Sequence, residues 1–273
     1  MGIEARITPP FGEVHPQMES GPYASVAQEL RGSPFAAIRY TEETESTNDD
    51  AAALLGDERY GGLTIVAEYQ RRGAGRKGRR WEAPAGTALL CTTILPQTVA
   101  AERLWLIPYW AALAVGGALK AFGICTVLQW PNDILLAERK VAGILCVSCV
   151  AGASAWVACG VGINVYRSAG APEQIDPAPA FCDDAVPVER RALLRALLGC
   201  YESSLPLLEQ AERVVSLWNQ AAELPGRRYR VAPDGAATFT ATALTLDPGG
   251  GLRVQREGAP AETVALADAR IER

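Results

Sequence analysis

Between Gln70 and Trp81, six of twelve residues are basic and three are glycine. Gly73, Gly75 and Gly78 let backbone N–H groups approach an anion, and Arg76, Lys77, Arg79 and Arg80 add positive charge, a combination suited to a phosphate-bearing ligand. The same composition also describes a solvated basic loop or a nucleic-acid patch. The run is neither a Walker A loop, which needs Gly-Lys-Ser/Thr, nor a dinucleotide fingerprint. A second group is Gln129-Trp130-Pro131-Asn132-Asp133, with Lys140 seven residues after Asp133. It puts an amide and a carboxylate at a strand end, where Asp133 can hold a cation or a ribose hydroxyl; read plainly, it is a turn with two good turn formers. Lys140 opens an otherwise apolar strand, so its ammonium points into a pocket or, as for most strand-edge lysines, into solvent. Third, Gly160 and Gly162 interrupt the strand-like run up to Val165, as glycines do at a bulge or where a backbone closely approaches another group, such as a flat ligand. His15 is the only histidine, which argues against Ser-His-Asp, Cys-His and His-metal chemistry.

The chain that must position these residues has 273 residues, 49% of them apolar and 21% charged, the composition of a globular protein with a substantial core. Its net charge of -5 repels polyanions overall, so anion binding requires a local basic patch. The most apolar window, Leu104 to Leu119, is shorter than the roughly 20 residues that span a bilayer and reads as a buried helix. The N-terminal residues carry acids and prolines where a secretory signal has an apolar run, so a cytoplasmic protein with no membrane partner is expected. Seven scattered cysteines do not form a disulfide framework. Cys146 and Cys149 lie three apart in a strand-like run, which points them to opposite faces and denies them a shared metal.

Pro9, Pro10, Pro16, Pro22 and Pro34 mark residues 1–36 as a tail, with one helical turn at Ser25 to Leu30. A compact domain follows over 37–224. A strand from Ile38 leads to a helix whose start is marked by Ser46, Thr47 and Asn48, residues that capping alone would explain. Strands are expected at Leu63–Tyr69, Thr87–Leu95, up to Trp130, at Ile134–Leu136, up to Val150 and at Trp156–Val165, with helices over Glu102–Phe122 and Ala192–Leu224, the latter broken near Pro206. After Pro225-Gly226, short strands at close spacing suggest a small β-barrel over 225–273.

In series, these pieces resemble the biotin protein ligase family. The resemblance is carried by Glu45-Ser-Thr-Asn-Asp-Asp-Ala51; Glu68-Tyr-Gln70 with Gly73-Ala-Gly-Arg-Lys-Gly-Arg-Arg-Trp81 and Pro84-Ala-Gly86; Trp130-Pro-Asn-Asp133; Arg139-Lys-Val-Ala-Gly-Ile-Leu145; and Gly160-Val-Gly-Ile-Asn-Val165. It implies an α/β (α+β, mixed-sheet) biotin/lipoate ligase-like catalytic domain followed by a small SH3-like β-barrel. It also implies an enzyme that makes biotinyl-adenylate and pyrophosphate from biotin and ATP with Mg²⁺. The biotinyl group then passes to a lysine of the biotin carboxyl carrier domain of a carboxylase. Carried over by position, Ser46, Thr47, Asn48, Gln70 and Gly73 would hold biotin over a floor of Gly160 and Gly162. Arg76 and Lys140 would be catalytic, bracketing the carboxylate and the α-phosphate. Arg79, Trp81, Asn132 and Asn164 would join them around the adenylate, Trp81 covering the adenine, and Asp133 would meet Mg²⁺. The family includes homodimers and repressors with an N-terminal winged helix; the short Pro-rich segment before Ile38 implies a ligase that does not bind DNA.

The sequence departs from the family's pattern at three positions. Ala74 and Gln129 stand where Arg and Lys are usual, and Val147 replaces an acidic residue. Arg71 and Arg72 could restore the missing charge. The departures leave room for a catalytically degenerate biotin- or adenylate-binding regulator. A lipoate ligase or octanoyltransferase shares the fold and the acyl-transfer logic, but needs a histidine that His15 cannot supply. A nucleic-acid-binding role is disfavoured by the negative net charge and the single aromatic, Trp81, in the basic loop.

Overall fold

The structure, a computed structural model, describes residues 19–167, 179–233, 237–265 and 269–272. After a 3₁₀ turn at Gly21–Tyr23 and helix α1 (Ala24–Glu29), strand β1 (Ile38–Thr44) leads through α2 (Thr47–Ala52) into β2 (Thr64–Gln70). β1 and β2 are parallel, which requires the crossover that α2 supplies. β3 (Ala88–Ile94) and the short β4 (Val99–Ala100) come next, then a 3₁₀ turn running into α3 (Ile107–Lys120). β5 (Val127–Gln129), β6 (Asp133–Leu136), β7 (Arg139–Ala151) and β8 (Ser154–Asn164) complete one eight-stranded sheet in the order β1-β2-β3-β8-β7-β6-β5, with β4 against the end of β8. Apart from the β1–β2 pair it is antiparallel.

Every residue of β3 is buried, because both faces of the sheet are covered. On one face, α2 packs Ala51 onto Leu63, Ile65, Ile94 and Ala158. On the other lies the larger core, centred on α3, whose Tyr109, Trp110, Val115 and Leu119 are fully buried. The apolar window around Leu104 is thus a core helix, and no helix among the described residues is long and apolar enough to cross a membrane. α4 (Arg190–Ser204) lies against α3, with Trp110 stacked on Tyr201 at 4.8 Å between ring centroids. A 3₁₀ turn at Leu205–Glu209, opened by Pro206, separates α4 from α5 (Ala211–Ala221), as the proline led one to expect.

Two expectations change. Residues 20–36, read as part of a tail, instead join the core: Tyr23, Val26 and Phe35 are each at most 2% exposed. Phe35 meets Tyr201 at 6.0 Å, and Gly62 is a glycine of necessity, since a Cβ there would lie 1.7 Å from the Pro34 carbonyl oxygen. Proline-rich composition hid a segment whose few large apolar residues all point inward; residues 1–18 lie outside the described residues. Second, the C-terminal strands form a separate antiparallel sheet, β9 (Arg228–Pro233), β10 (Phe239–Leu246), β11 (Leu252–Gln255), β12 (Glu262–Val264) and β13 (Ala269–Glu272), in the order β12-β11-β10-β9-β13. Among the described residues its end strands do not pair with each other, so a closed barrel is not seen. β13 is short and, at Ala269-Arg-Ile-Glu272, rich in charged residues, so it carries little strand signal of its own.

Phe35 provides a test of the docked N-terminal segment. Phe35→Ala is expected to cost about 3–5 kcal/mol of stability, read as a lowered midpoint of urea unfolding; an unshifted midpoint would return the segment to a tail.

Candidate active site

A cavity of about 590 Å³ opens over the sheet at the ends of β7 and β8, lined by the start of α2, the loop after β2, the β5–β6 turn and the first residues of β7. Its volume suits a small organic ligand. One end is polar and uncharged. Ser46 precedes α2 and is buried, yet its side chain makes no capping bond. The Thr47 N–H and hydroxyl both donate to Gln70 Oε1, at 2.8 and 3.0 Å. Thr92, a fully buried residue of β3, directs its hydroxyl at Thr47 Oγ1 and Asn48 Oδ1, both at 2.8 Å. The Asn48 amide in turn donates to the Leu145 carbonyl at 3.0 Å. Simple capping therefore does not account for Thr47 and Asn48, which belong to a network joining α2 to β2, β3 and β7, while Ser46 lines the cavity beside them. Thr92 was missed in the sequence, where it is one β-branched residue in a strand full of them.

The sheet floor beside this network lacks side chains. Gly143 of β7 and Gly162 of β8 are directly paired, as are Leu145 and Gly160. A Cβ at Gly160 would fall 2.1 Å from Asn48 Oδ1, and one at Gly162 would fall 2.5 Å from Trp81 Cε2. The two glycines expected as a bare floor are thus occupied, one by the Asn48 amide and the other by the Trp81 indole. Lys140 Nζ stands 5.3 Å from the centre of the Trp81 ring, a cation–π distance. The indole Nε1 is buried with no hydrogen-bond partner, which disfavours this placement by about 1–3 kcal/mol.

The other end is charged. Arg76, Arg79, Arg80 and Lys140 line it against Asp133 and Glu82, four cations to two anions, so the cavity is positive although the chain is negative. Lys140 Nζ pairs with Asp133 Oδ1 at 2.6 Å. Burial, partly offset by Tyr109 and Asp133, lowers the Arg76 pKa from its ordinary value, and the guanidinium remains cationic. The basic loop is folded back on itself: Ala74 bridges to Arg80, Gly75 N–H donates to the Arg79 carbonyl at 2.8 Å and Trp81 N–H to Gly73 O at 2.8 Å. Gly73 does not line the cavity; it permits this close return, since a Cβ there would lie 2.3 Å from the Trp81 carbonyl oxygen. Asn132 and Asn164 do line it, their amides donating to Ile144 O at 2.7 Å and Ala180 O at 3.1 Å.

Arg71 and Arg72 do not restore the missing charge. Arg71 pairs with Glu43 and Glu45, and Arg72 with Glu45, on the exposed rim where β2 leaves the sheet. Of the three departures, Ala74 and Gln129 line the cavity, whereas Val147 packs beside the α2 cluster. Cys149 is exposed, while Cys146 packs on the main core and meets Cys159 across the strand pair, Sγ to Sγ 3.8 Å, both thiols free. Among the described residues no group of three His, Cys, Asp or Glu side chains could hold a metal.

The chain matches the biotin/lipoate A/B protein ligase family over residues 40–164, the stretch that supplies most of the cavity. It is 30% identical over 234 residues to the biotin–[acetyl-CoA-carboxylase] ligase of Mycobacterium tuberculosis, covering 81% of this chain and 84% of that protein. The chain belongs to the biotin protein ligase family. Another member, from Paracoccus denitrificans, is 40% identical over 136 residues, 48% of this chain and 54% of that protein. The fold agrees with that of the Aquifex aeolicus biotin protein ligase solved with biotin and ATP, with a TM-score of 0.69 at 21% identity over 87% of this chain and 99% of that one. In this biotin ligase fold the α2–Thr92 network and the Gly143–Gly162 floor lie within the matched stretch, and the C-terminal sheet lies outside it.

Gly160→Ala is expected to push Asn48 off its bonds with Thr92 and Leu145 and to weaken biotin binding at least tenfold by calorimetry, about the effect of losing two buried hydrogen bonds, with the circular dichroism spectrum retained. Undiminished affinity would show that the network does not shape the biotin end.

Proposed function

We propose that this chain is an ATP-dependent biotin protein ligase that makes biotinyl-adenylate in the cavity and transfers the biotinyl group to a lysine of a biotin carboxyl carrier domain. The observation that carries this reading is the division of one cavity into an uncharged hydrogen-bonding end at Ser46, Thr47 and Gln70 and a cationic end at Arg76 and Lys140. A bicyclic urea with a valerate tail suits that division, its head at the polar end and its carboxylate at the cations. In the first step a biotin carboxylate oxygen attacks the α-phosphorus, the new P–O bond forms and pyrophosphate departs with the electrons of the bond that breaks. In the second, the carrier amine attacks the acyl carbon, losing a proton, and AMP leaves. Attack of one anion on another is opposed chiefly by electrostatics, and cations fixed beforehand lower that barrier.

We assign Arg76 and Lys140 to the carboxylate and α-phosphate, Arg79 to the adenylate, and Asn132 and Asn164 to its ribose and phosphate edge. Trp81 is read as a cover that leaves the Gly143–Gly162 floor for the adenine side when ligand enters; its unpartnered Nε1 and the folded basic loop support a lid that excludes water from the adenylate. Mg²⁺ fits as an ion carried in on the ATP phosphates. Such ions take one or two carboxylates plus phosphate oxygens, and Asp133 with Glu82 at the cavity wall can supply them, where it would offset phosphate charge. The C-terminal sheet is read as the SH3-like barrel of the family, and the reaction as cytoplasmic.

The deciding experiment is biotin-dependent release of pyrophosphate from ATP, compared with lipoate and octanoate and followed by labelling of a carrier domain. Release with biotin alone is expected; biotin binding without release would make the chain a regulator. Lys140→Ala and Arg76→Ala should each slow adenylate formation about 10²–10³-fold while melting within a few degrees of the unaltered protein. Since Arg71 and Arg72 are held by Glu43 and Glu45 on the rim, Ala74→Arg is expected to slow escape of the adenylate, followed by rapid filtration. An unchanged rate would show that position 74 does not face the intermediate.

A further inference from the structure

We propose that the C-terminal sheet positions the ATP end of the site by holding both ends of the β5–β6–β7 hairpin that carries Asp133 and Lys140. The inference rests on the ligase reading above and adds to it a set of positioning residues. At one end, Gly250, in the turn between β10 and β11, turns its carbonyl toward the catalytic domain, where it accepts hydrogen bonds from Trp130 Nε1 at 3.2 Å and from the Tyr109 hydroxyl. Its φ of +84° gives the turn this orientation, and a Cβ there would come 3.1 Å from the Tyr109 ring. Trp130 is completely buried and follows directly on β5. Two residues later, Asn132 is locked to β7 by its amide on Ile144 O at 2.7 Å and by its carbonyl accepting from Ile144 N–H at 3.0 Å.

At the other end, the β6–β7 turn consists of Ala137 and Glu138, both at positive φ. Arg227, at the entrance to the C-terminal sheet, is 14% exposed and pairs with the Glu138 carboxylate and with Glu223. Lys140 begins two residues further on and meets Asp133 between the two tethers. Attachment of the sheet as such does not need these contacts. Asn219 of α5 already fastens β10, donating to Thr245 Oγ1 at 2.7 Å and accepting from Leu246 N–H at 2.8 Å. Two further links that both end on the hairpin bearing Asp133 and Lys140 are therefore assigned to its placement.

The test uses the full chain and steady-state pyrophosphate release, with KM measured separately for ATP and biotin, melting temperature, and hydrogen exchange of the amides from 132 to 140. Arg227→Ala and Trp130→Phe are each expected to raise KM for ATP roughly two- to tenfold, the fold-change of one net hydrogen bond, to leave KM for biotin unchanged and to speed exchange across the hairpin. Arg227→Lys should restore KM for ATP toward that of the unaltered protein. Asn219→Ala, which loosens the sheet from α5 alone, should lower the melting temperature without moving KM for ATP. An unchanged KM for ATP in both hairpin variants, or a joint rise of both KM values matched by Asn219→Ala, would overturn the proposal. If the unaltered protein releases no pyrophosphate, the ligase reading fails instead, and unaltered hydrogen exchange in Arg227→Ala and Trp130→Phe would still refute the tether.

Discussion

Two anions meet only where cations have been fixed in advance, and in a chain of net charge -5 that requires like charges to be held together against their own repulsion. Arg76, Arg79, Arg80 and Lys140 share one cavity wall. What makes this tolerable is an interleaving of carboxylates and backbone: Asp133 takes Lys140 at 2.6 Å, and the loop carrying the arginines is closed by its own main-chain bonds at Gly73 and Gly75. The sheet supplies the rigidity. Lys140 rises from the start of β7, where it pairs with Leu135 of β6 and its carbonyl accepts from Ala180 N–H at 2.9 Å, so its backbone is fixed while its ammonium rests on Asp133.

The same sheet solves a packing problem at the neutral end. A flat ligand can lie on a β-sheet only where the residues facing it have no side chains, and such a bare patch weakens the strands that carry it. Here Gly143 and Gly162 lie side by side on β7 and β8 under Trp81, Gly160 lies under Asn48, and the strands around them compensate. Thr92 of β3 pairs with Gly160 in the sheet register and sends its hydroxyl into the Thr47–Asn48 network, while the Asn48 amide reaches across to β7. Stability lost at the glycines is regained through polar bonds that also define the pocket wall, so that floor and wall are one structure.

Most of the architecture was legible because it is written in local patterns. The β-branched, apolar composition and length of the β2, β3 and β8 segments, the apolar run of α3 and the break at Pro206 all depend on neighbours in sequence. What escaped depends on partners far away. Residues 20–36 look like a tail until Tyr23, Val26 and Phe35 are seen buried in the main core, Phe35 against Tyr201 of α4. Arg71 and Arg72 look interchangeable with Arg76 and Arg79 in a run of basic residues, but β2 ends at Gln70, and the next two residues stay bonded to Thr44 and Glu45 beside β1. Only after Gly73 does the loop turn over the cavity. Charge content was readable; which charges face the ligand was decided by where the strand stops.

That boundary also explains why Ala74 matters more than the other departures. Val147 lies on the α2 side of the sheet among apolar neighbours, where an alkyl side chain packs without leaving a polar group unsatisfied. Gln129 is buried at the end of β5, opposite Asp133 in the strand register, and a neutral amide there lowers the density of positive charge around the Asp133–Lys140 pair. Ala74, by contrast, is the first residue of the loop to line the cavity and bridges directly to Arg80. A cation at that point would add to Arg76, Arg79 and Arg80 against the same two carboxylates, Asp133 and Glu82. The alanine therefore spares the folded loop a further like charge beside Arg76, Arg79 and Arg80.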